Sequence, residues 1–231
     1  MTSRTDWDTW RATRLAAVVS PTGDLALIES RWQQDDQEMS IDESLVGQPK
    51  TVTATREVRR AFDGHVFEQG IRLWDANSLA IRSFETIDVY PFNPRWIFEA
   101  TFTPHPESRA VPFEYIRENA GMRDLAVPGE IKALIEGVEY ALDAFDDDGT
   151  LLLVFADTTN GTETYPSGRF LFVDRIAGTD RVDLDFNRAF VPPCGFSIHY
   201  NCPLPPPQNR LQLPVHAGEK NPIFRDGFQI Y

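Results

Sequence analysis

Leu151-Leu152-Leu153-Val154-Phe155-Ala156, followed at once by Asp157-Thr158-Thr159-Asn160-Gly161, decides how the rest of this sequence is read. An apolar run with no alternation describes a strand covered on both faces. Asn160-Gly161 after it marks a tight turn, since glycine accepts the positive φ such a turn needs. Working outward, Ile131–Ile135 and Val138–Phe145 upstream, and Phe170–Val173, Val182–Phe186 and Leu211–Val215 downstream, keep the same strand rhythm. Turns are predicted at Asp146–Gly149 and Ala177–Asp180.

Further out, Leu25–Ile28, Thr51–Thr55, Val58–Phe62, Val66–Phe67, Ile71–Trp74, Leu79–Phe84 and Ile97–Phe102 are short β-prone runs, with turn signals at Asp63-Gly64 and Asp75-Ala76-Asn77-Ser78. Residues 5–19 carry the one strong helical pattern: Thr5 can cap, Asp8 follows three residues later, and Trp7, Trp10, Leu15 and Val18 fall close to one face. Pro21 and Gly23 end it. The acidic piece Gln33–Ser44 reads as a solvated loop, and the two prolines of Tyr90–Pro94 as a corner. Pro104–Pro128 shows little periodicity and reads as a long lid or binding loop, or as a loop with a short helix near Phe113–Asn119. Short, hairpin-like connections favour antiparallel pairing. The expected fold is therefore mainly β: an antiparallel barrel or two-layer β structure with one N-terminal helix, a single domain over residues 1–231.

Asp and Glu number 35 against 22 Lys and Arg, a formal net charge of −13. Such a surface repels polyanions, which argues against nucleic-acid binding and against adhesion to an anionic membrane. No signal-peptide core opens the sequence, and no run approaches the ~20 apolar residues of a membrane span, so a cytoplasmic location is expected. Two cysteines, Cys194 and Cys202, do not suggest a disulfide framework in such a compartment. A P-loop, a dinucleotide fingerprint and a metalloprotease His pair are absent, and no cofactor is indicated. Nothing fixes the oligomeric state, although a homodimer is compatible.

The spaced polar residues of the last third are more specific. Phe155-Ala156-Asp157-Thr158-Thr159-Asn160-Gly161, Thr164-Tyr165, Gly168-Arg169, Asp185-Phe186-Asn187, Pro193-Cys194, Cys202-Pro203-Leu204-Pro205, Asn209 and Ala217-Gly218-Glu219-Lys220 resemble the signature half of domain-of-unknown-function family 1684, a group of uncharacterised bacterial proteins. The resemblance leads one to expect Asn before Pro192, where Val191 stands. It localises a site without naming a chemistry.

Read as residues, Asn160 and its neighbours serve either the turn itself or a nest of amides for a polar ligand. Tyr165 and Arg169, four apart, would face one side of a strand. Arg169 would pair with Asp157 or Asp185, or present its planar fork to a ligand carboxylate or phosphate. The first expectation is a small-molecule-binding module whose pocket around Arg169 includes Asp157, Asn160, Tyr165, Asp185, Asn187 and Asn209, with no metal. Glu219 and Lys220 would close it by pairing with Arg169 and Asp185. A second reading is a hydrolase or metal-assisted enzyme using Asp185, Cys194, His199 and Cys202, with His216 as another base or ligand, although their spacing matches no known zinc motif and no nucleophile elbow. The third is a partner-binding domain in which the same residues form a satisfied polar network.

Overall fold

The computed structural model describes residues 2–33, 39–60, 65–114, 123–147 and 149–230. The chain divides into two compact units: Met1–Arg11, Ile87–Pro192 and Cys202–Asn221 make the first, and Ala12–Thr86, Pro193–Asn201 and Pro222–Tyr231 the second. It is mainly β, with antiparallel sheets, a half-barrel among them, and one N-terminal helix.

The first unit is built on a six-stranded sheet of β5 (Ile97–Phe113), β6 (Arg123–Ile135), β7 (Val138–Asp147), β8 (Thr150–Phe155), β9 (Arg169–Val173) and β10 (Arg181–Asp185), in the order β10-β5-β6-β7-β8-β9. As the sequence requires, β8 pairs on both sides, with β7 and with β9. The end strands approach each other as well: Arg175 bridges Val182 beyond the end of β9, and the sheet curls into a half-barrel. Its interior holds Phe102, Ile131, Leu142, Leu153, Phe155, Leu171, Leu184 and Phe186. Each such fully buried side chain contributes about 1.5–3 kcal/mol by leaving water.

The second unit carries β1 (Leu27–Gln33), β2 (Val52–Arg60) and β3 (Val66–Asp75), in the order β1-β3-β2, over a small core of Val52, Ile71 and Leu73. Two short helices, α2 (Ile41–Leu45) and α3 (Leu79–Ser83), belong to it. Strands β4 (Phe84–Val89) and β11 (Glu219–Phe224) pair with one another.

Several boundaries differ from expectation for physical reasons. The helix α1 is Arg4–Val18, and Ser3 rather than Thr5 caps it: Ser3 Oγ accepts from the Asp6 amide while Asp6 takes the Ser3 amide. Leu79–Ser83 is helical instead of extended because Ser78 accepts from the Ile81 amide. Pro104–Phe113 and Arg123–Pro128 are strand, not a lid, with a register shift between Pro104 and Arg109 where Pro106 falls. Most of the short helix predicted there, and the Asp63-Gly64 turn, lie outside the described residues. Leu211–Val215 is not a strand: only Leu211 N and Leu213 O bond to main chain, at Ala156 and Thr158, while the Gln212 and Val215 amides and the Val215 carbonyl bond to side chains. Among the described residues no helix is long and apolar enough to cross a membrane.

Candidate functional site

Asp157 and Arg169 meet just beyond the paired ends of β8 and β9, where Phe155 lies opposite Arg169. The guanidinium is fully buried, its Nη2 2.8 Å from Asp157 Oδ2. Its remaining bonds go to the carbonyls of Val215, Ala217 and Glu219. They belong to every second residue of one segment, and a single planar fork spans them. Asp157 Oδ1 accepts from the Thr159 amide, the Thr159 hydroxyl and the Val215 amide. A charge buried alone is costly, and here it is matched by an opposite charge and by hydrogen bonds.

The rest of the turn supports this pair. Asn160 Oδ1 receives the Asp157 amide, and Nδ2 donates to Thr164 Oγ1 and to the Tyr165 carbonyl. Tyr165 lies in the turn before Gly168 rather than on β9, so it and Arg169 do not share a strand face. Two glycines let backbone approach backbone. At Gly168 (φ +93) an added Cβ would lie 2.6 Å from the Phe155 carbonyl, and at Gly218 (φ +76) 2.5 Å from that of Ala189. Neighbouring Tyr90 donates to Glu163 at 2.9 Å, and burial first, then that carboxylate, pushes its phenol well above the ordinary value.

Asn209 is engaged elsewhere. Strands β7 and β8 pair through Phe145↔Leu152, and the next such partners along the ladder would be Asp143 and Val154. There the side-chain amide of Asn209 is inserted, donating to the carbonyls of Asp143 and Val154 and accepting from the Asp143 amide. Asn187 is used in the same manner: its Oδ1 receives the Asn93 amide and its Nδ2 reaches the Asn93 carbonyl and Asp185 Oδ1.

Asp185, like Arg169 at its Nε, keeps a buried atom without a hydrogen bond. Oδ1 is taken up by Asn187, but the buried Oδ2 has no hydrogen-bond partner among the described residues. Arg188 Nε stands 3.7 Å away, a long ion pair, and likewise has no hydrogen-bond partner among the described residues. Both residues line a recess of about 290 Å³ with Thr2, Asp6, Phe172, Asp174, Ile176 and Asp183. Asp183 and Asp185, two apart on β10, share a face, and Phe172 of β9 and Asp174 just past its end lie across the seam. Hydrogen bonds from Ser3, helped by the charge of Arg188, hold the Asp6 carboxyl below its ordinary value against a smaller opposing effect of burial.

A family model described as "Protein of unknown function (DUF1684)" matches residues 82–220. The chain belongs to this family. Among solved structures it is similar to an uncharacterized protein of Haloarcula marismortui determined by NMR in solution, at 30% identity and a TM-score of 0.49, over 59% of this chain and 77% of that one. No curated protein matches.

The DUF1684 signature thus separates into three hydrogen-bonded sets. Asp157, Asn160, Tyr165 and Arg169 surround the C-terminal segment, Asn209 joins β7 to β8, and Asp185 with Asn187 stands at the β9–β10 seam. The terminal pair is engaged differently from expectation. Glu219 meets Arg169 through its main-chain carbonyl while its carboxylate receives the Val191 amide, and Lys220 lies 3.3 Å from Asp88 rather than at Asp185. Cys194 and Cys202 are buried and not disulfide-bonded. Cys194 and His199 belong to the second unit, Asp185 and Cys202 to the first. Among the described residues no three His, Cys, Asp or Glu side chains gather as a metal site. Arg188, Asp183 and Phe172 were not singled out from sequence, although Asp183 and Asp185 alternate on a strand and Arg188 follows three residues later.

Proposed function

We propose that this chain is a small-molecule-binding module whose ligand sits in the recess beside Asp185 and Arg188. Arg169 does not reach it: the guanidinium is fully enclosed and four hydrogen bonds occupy its two terminal nitrogens. Buried polar groups are nearly always satisfied, and an orphan needs a reason. The one observation that carries this reading is the buried carboxylate oxygen of Asp185, which has no hydrogen-bond partner among the described residues and only a long 3.7 Å ion pair with Arg188 Nε, at the wall of a recess of about 290 Å³. Asp157, Asn160, Asn187 and Asn209, whose polar atoms are engaged within the protein, support the architecture instead.

Screening a fragment set of cationic, neutral and anionic compounds against the full chain by NMR tests this reading. Backbone amide shifts should cluster at residues 172–174 and 183–188, and Asp185→Asn should abolish the cluster while leaving the remaining spectrum in place. Hits that cluster elsewhere, or that bind the variant equally well, would remove the recess from the account.

A further inference from the structure

We infer that the recess takes an organic cation, an amine carried on a short apolar chain; this rests on the recess being a ligand site. Its charged lining consists of four carboxylates, Asp6, Asp174, Asp183 and Asp185, against one guanidinium, Arg188. The first turn of α1 contributes a helix N-terminus, equivalent to about half a positive charge, and this does not offset the excess of carboxylates. An anionic ligand is disfavoured by the same count.

The geometry supplies both parts of an amine's recognition. Asp185 is 6% exposed and holds Oδ2 without a donor, and an ammonium group brings three. Phe172 and Ile176 expose 47% and 44% of their surface beside it, and Phe172 is held in place by stacking on Phe190 at 5.3 Å. The chain of an alkylamine would lie on these two while its head reaches Asp185, with Asp183 one pleat away on the same face. A bare divalent ion fits less well, since no three acidic groups among the described residues come together as a metal site.

Three probes of equal length separate charge from shape: 1,5-diaminopentane, 1,5-pentanediol and glutarate, each titrated into the ¹⁵N-labelled full chain. The diamine should shift the amides of Phe172, Asp174, Asp183 and Asp185 with an affinity about tenfold above that of the diol, and about tenfold weaker in 0.5 M salt. Glutarate should shift none of them. Asp185→Asn should weaken the diamine about tenfold, and Arg188→Gln, which removes the competing cation, should strengthen it about threefold. Should Asp185→Asn not fold, the Arg188→Gln result and the salt dependence decide. Diamine shifts spread evenly over the acidic surface, or an Arg188→Gln variant that binds it more weakly, would overturn the inference. If the diol or glutarate shifts these amides and the diamine does not, the recess remains a ligand site and only its charge preference falls. If the fragment screen also leaves these amides unmoved, both fall.

Discussion

Arg169 shows how one residue can be costly and useful together. Removing it leaves the Asp157 carboxylate buried with its principal counter-charge gone, and the carbonyls of Val215, Ala217 and Glu219 without their donor. Breaking a buried pair from one side costs about 3–5 kcal/mol. Arg169→Met should therefore lower the unfolding free energy by about that amount in a urea titration, and a second change, Asp157→Leu, should restore part of it. Tyr90 gives a pH signature. Its phenol ionises less readily folded than unfolded, so its share of stability is intact below the ordinary tyrosine value of about 10 and is lost as pH rises beyond it. Urea midpoints measured from pH 9 to 11 should fall less steeply for Tyr90→Phe than for the parent. At this scale the sequence was legible where chemistry allows few answers: an arginine between Gly168 and Phe170 had to find an acid, and Asp157 was one of two candidates. That its fork would also hold every second carbonyl of a segment nearly fifty residues later has no sequence signal, because carbonyls are present in every residue.

Ser78 decides the character of an element. The run Leu79–Ser83 is apolar enough to read as a strand, yet Ser78 accepts from the Ile81 amide and donates to the Leu25 carbonyl, so a helical turn starts there. Ser78→Ala should cost about 1–2 kcal/mol, measured by thermal or chemical unfolding. Asn209 plays the opposite part, standing in for a ladder pair between β7 and β8. Asn209→Leu keeps the branched shape but leaves the Asp143 amide and the carbonyls of Asp143 and Val154 without it, at about 1–3 kcal/mol for each unsatisfied group. Amide exchange at Asp143 should accelerate in this variant before that of residues deeper in β7. Strand content in the C-terminal half followed from apolar periodicity, which tracks burial. The β5–β6 hairpin escaped notice since Pro104, Pro106 and Pro112 suppress the strand signal, whereas β5 passes Pro106 in a register shift and keeps Pro104 and Pro112 at paired positions. Leu211–Val215 misled in the other direction, its apolar side chains facing the core while its backbone bonds outside any sheet.

Across the whole molecule the chain passes between its two compact units five times, within α1, β4 and β11 and at both ends of Pro193–Asn201. Neither unit is therefore a continuous stretch, and neither can be excised by a single cut. Two-state unfolding is expected, as residues of both units share the same helix and strands. Fluorescence from the tryptophans and far-UV circular dichroism should give superimposable urea transitions, whereas two separated midpoints would mark independent units. The grip of Arg169 also sets an order of events during synthesis. A ribosome releases this arginine well before Val215, Ala217 and Glu219, its acceptors 46 to 50 positions downstream. Until those residues emerge, the nascent half-barrel carries a cation with only part of its shell. Ribosome-bound chains stalled short of residue 215 should accordingly remain protease-sensitive even with every strand from β5 to β10 already made, and resistance should appear once the last of the three carbonyls is free of the exit tunnel.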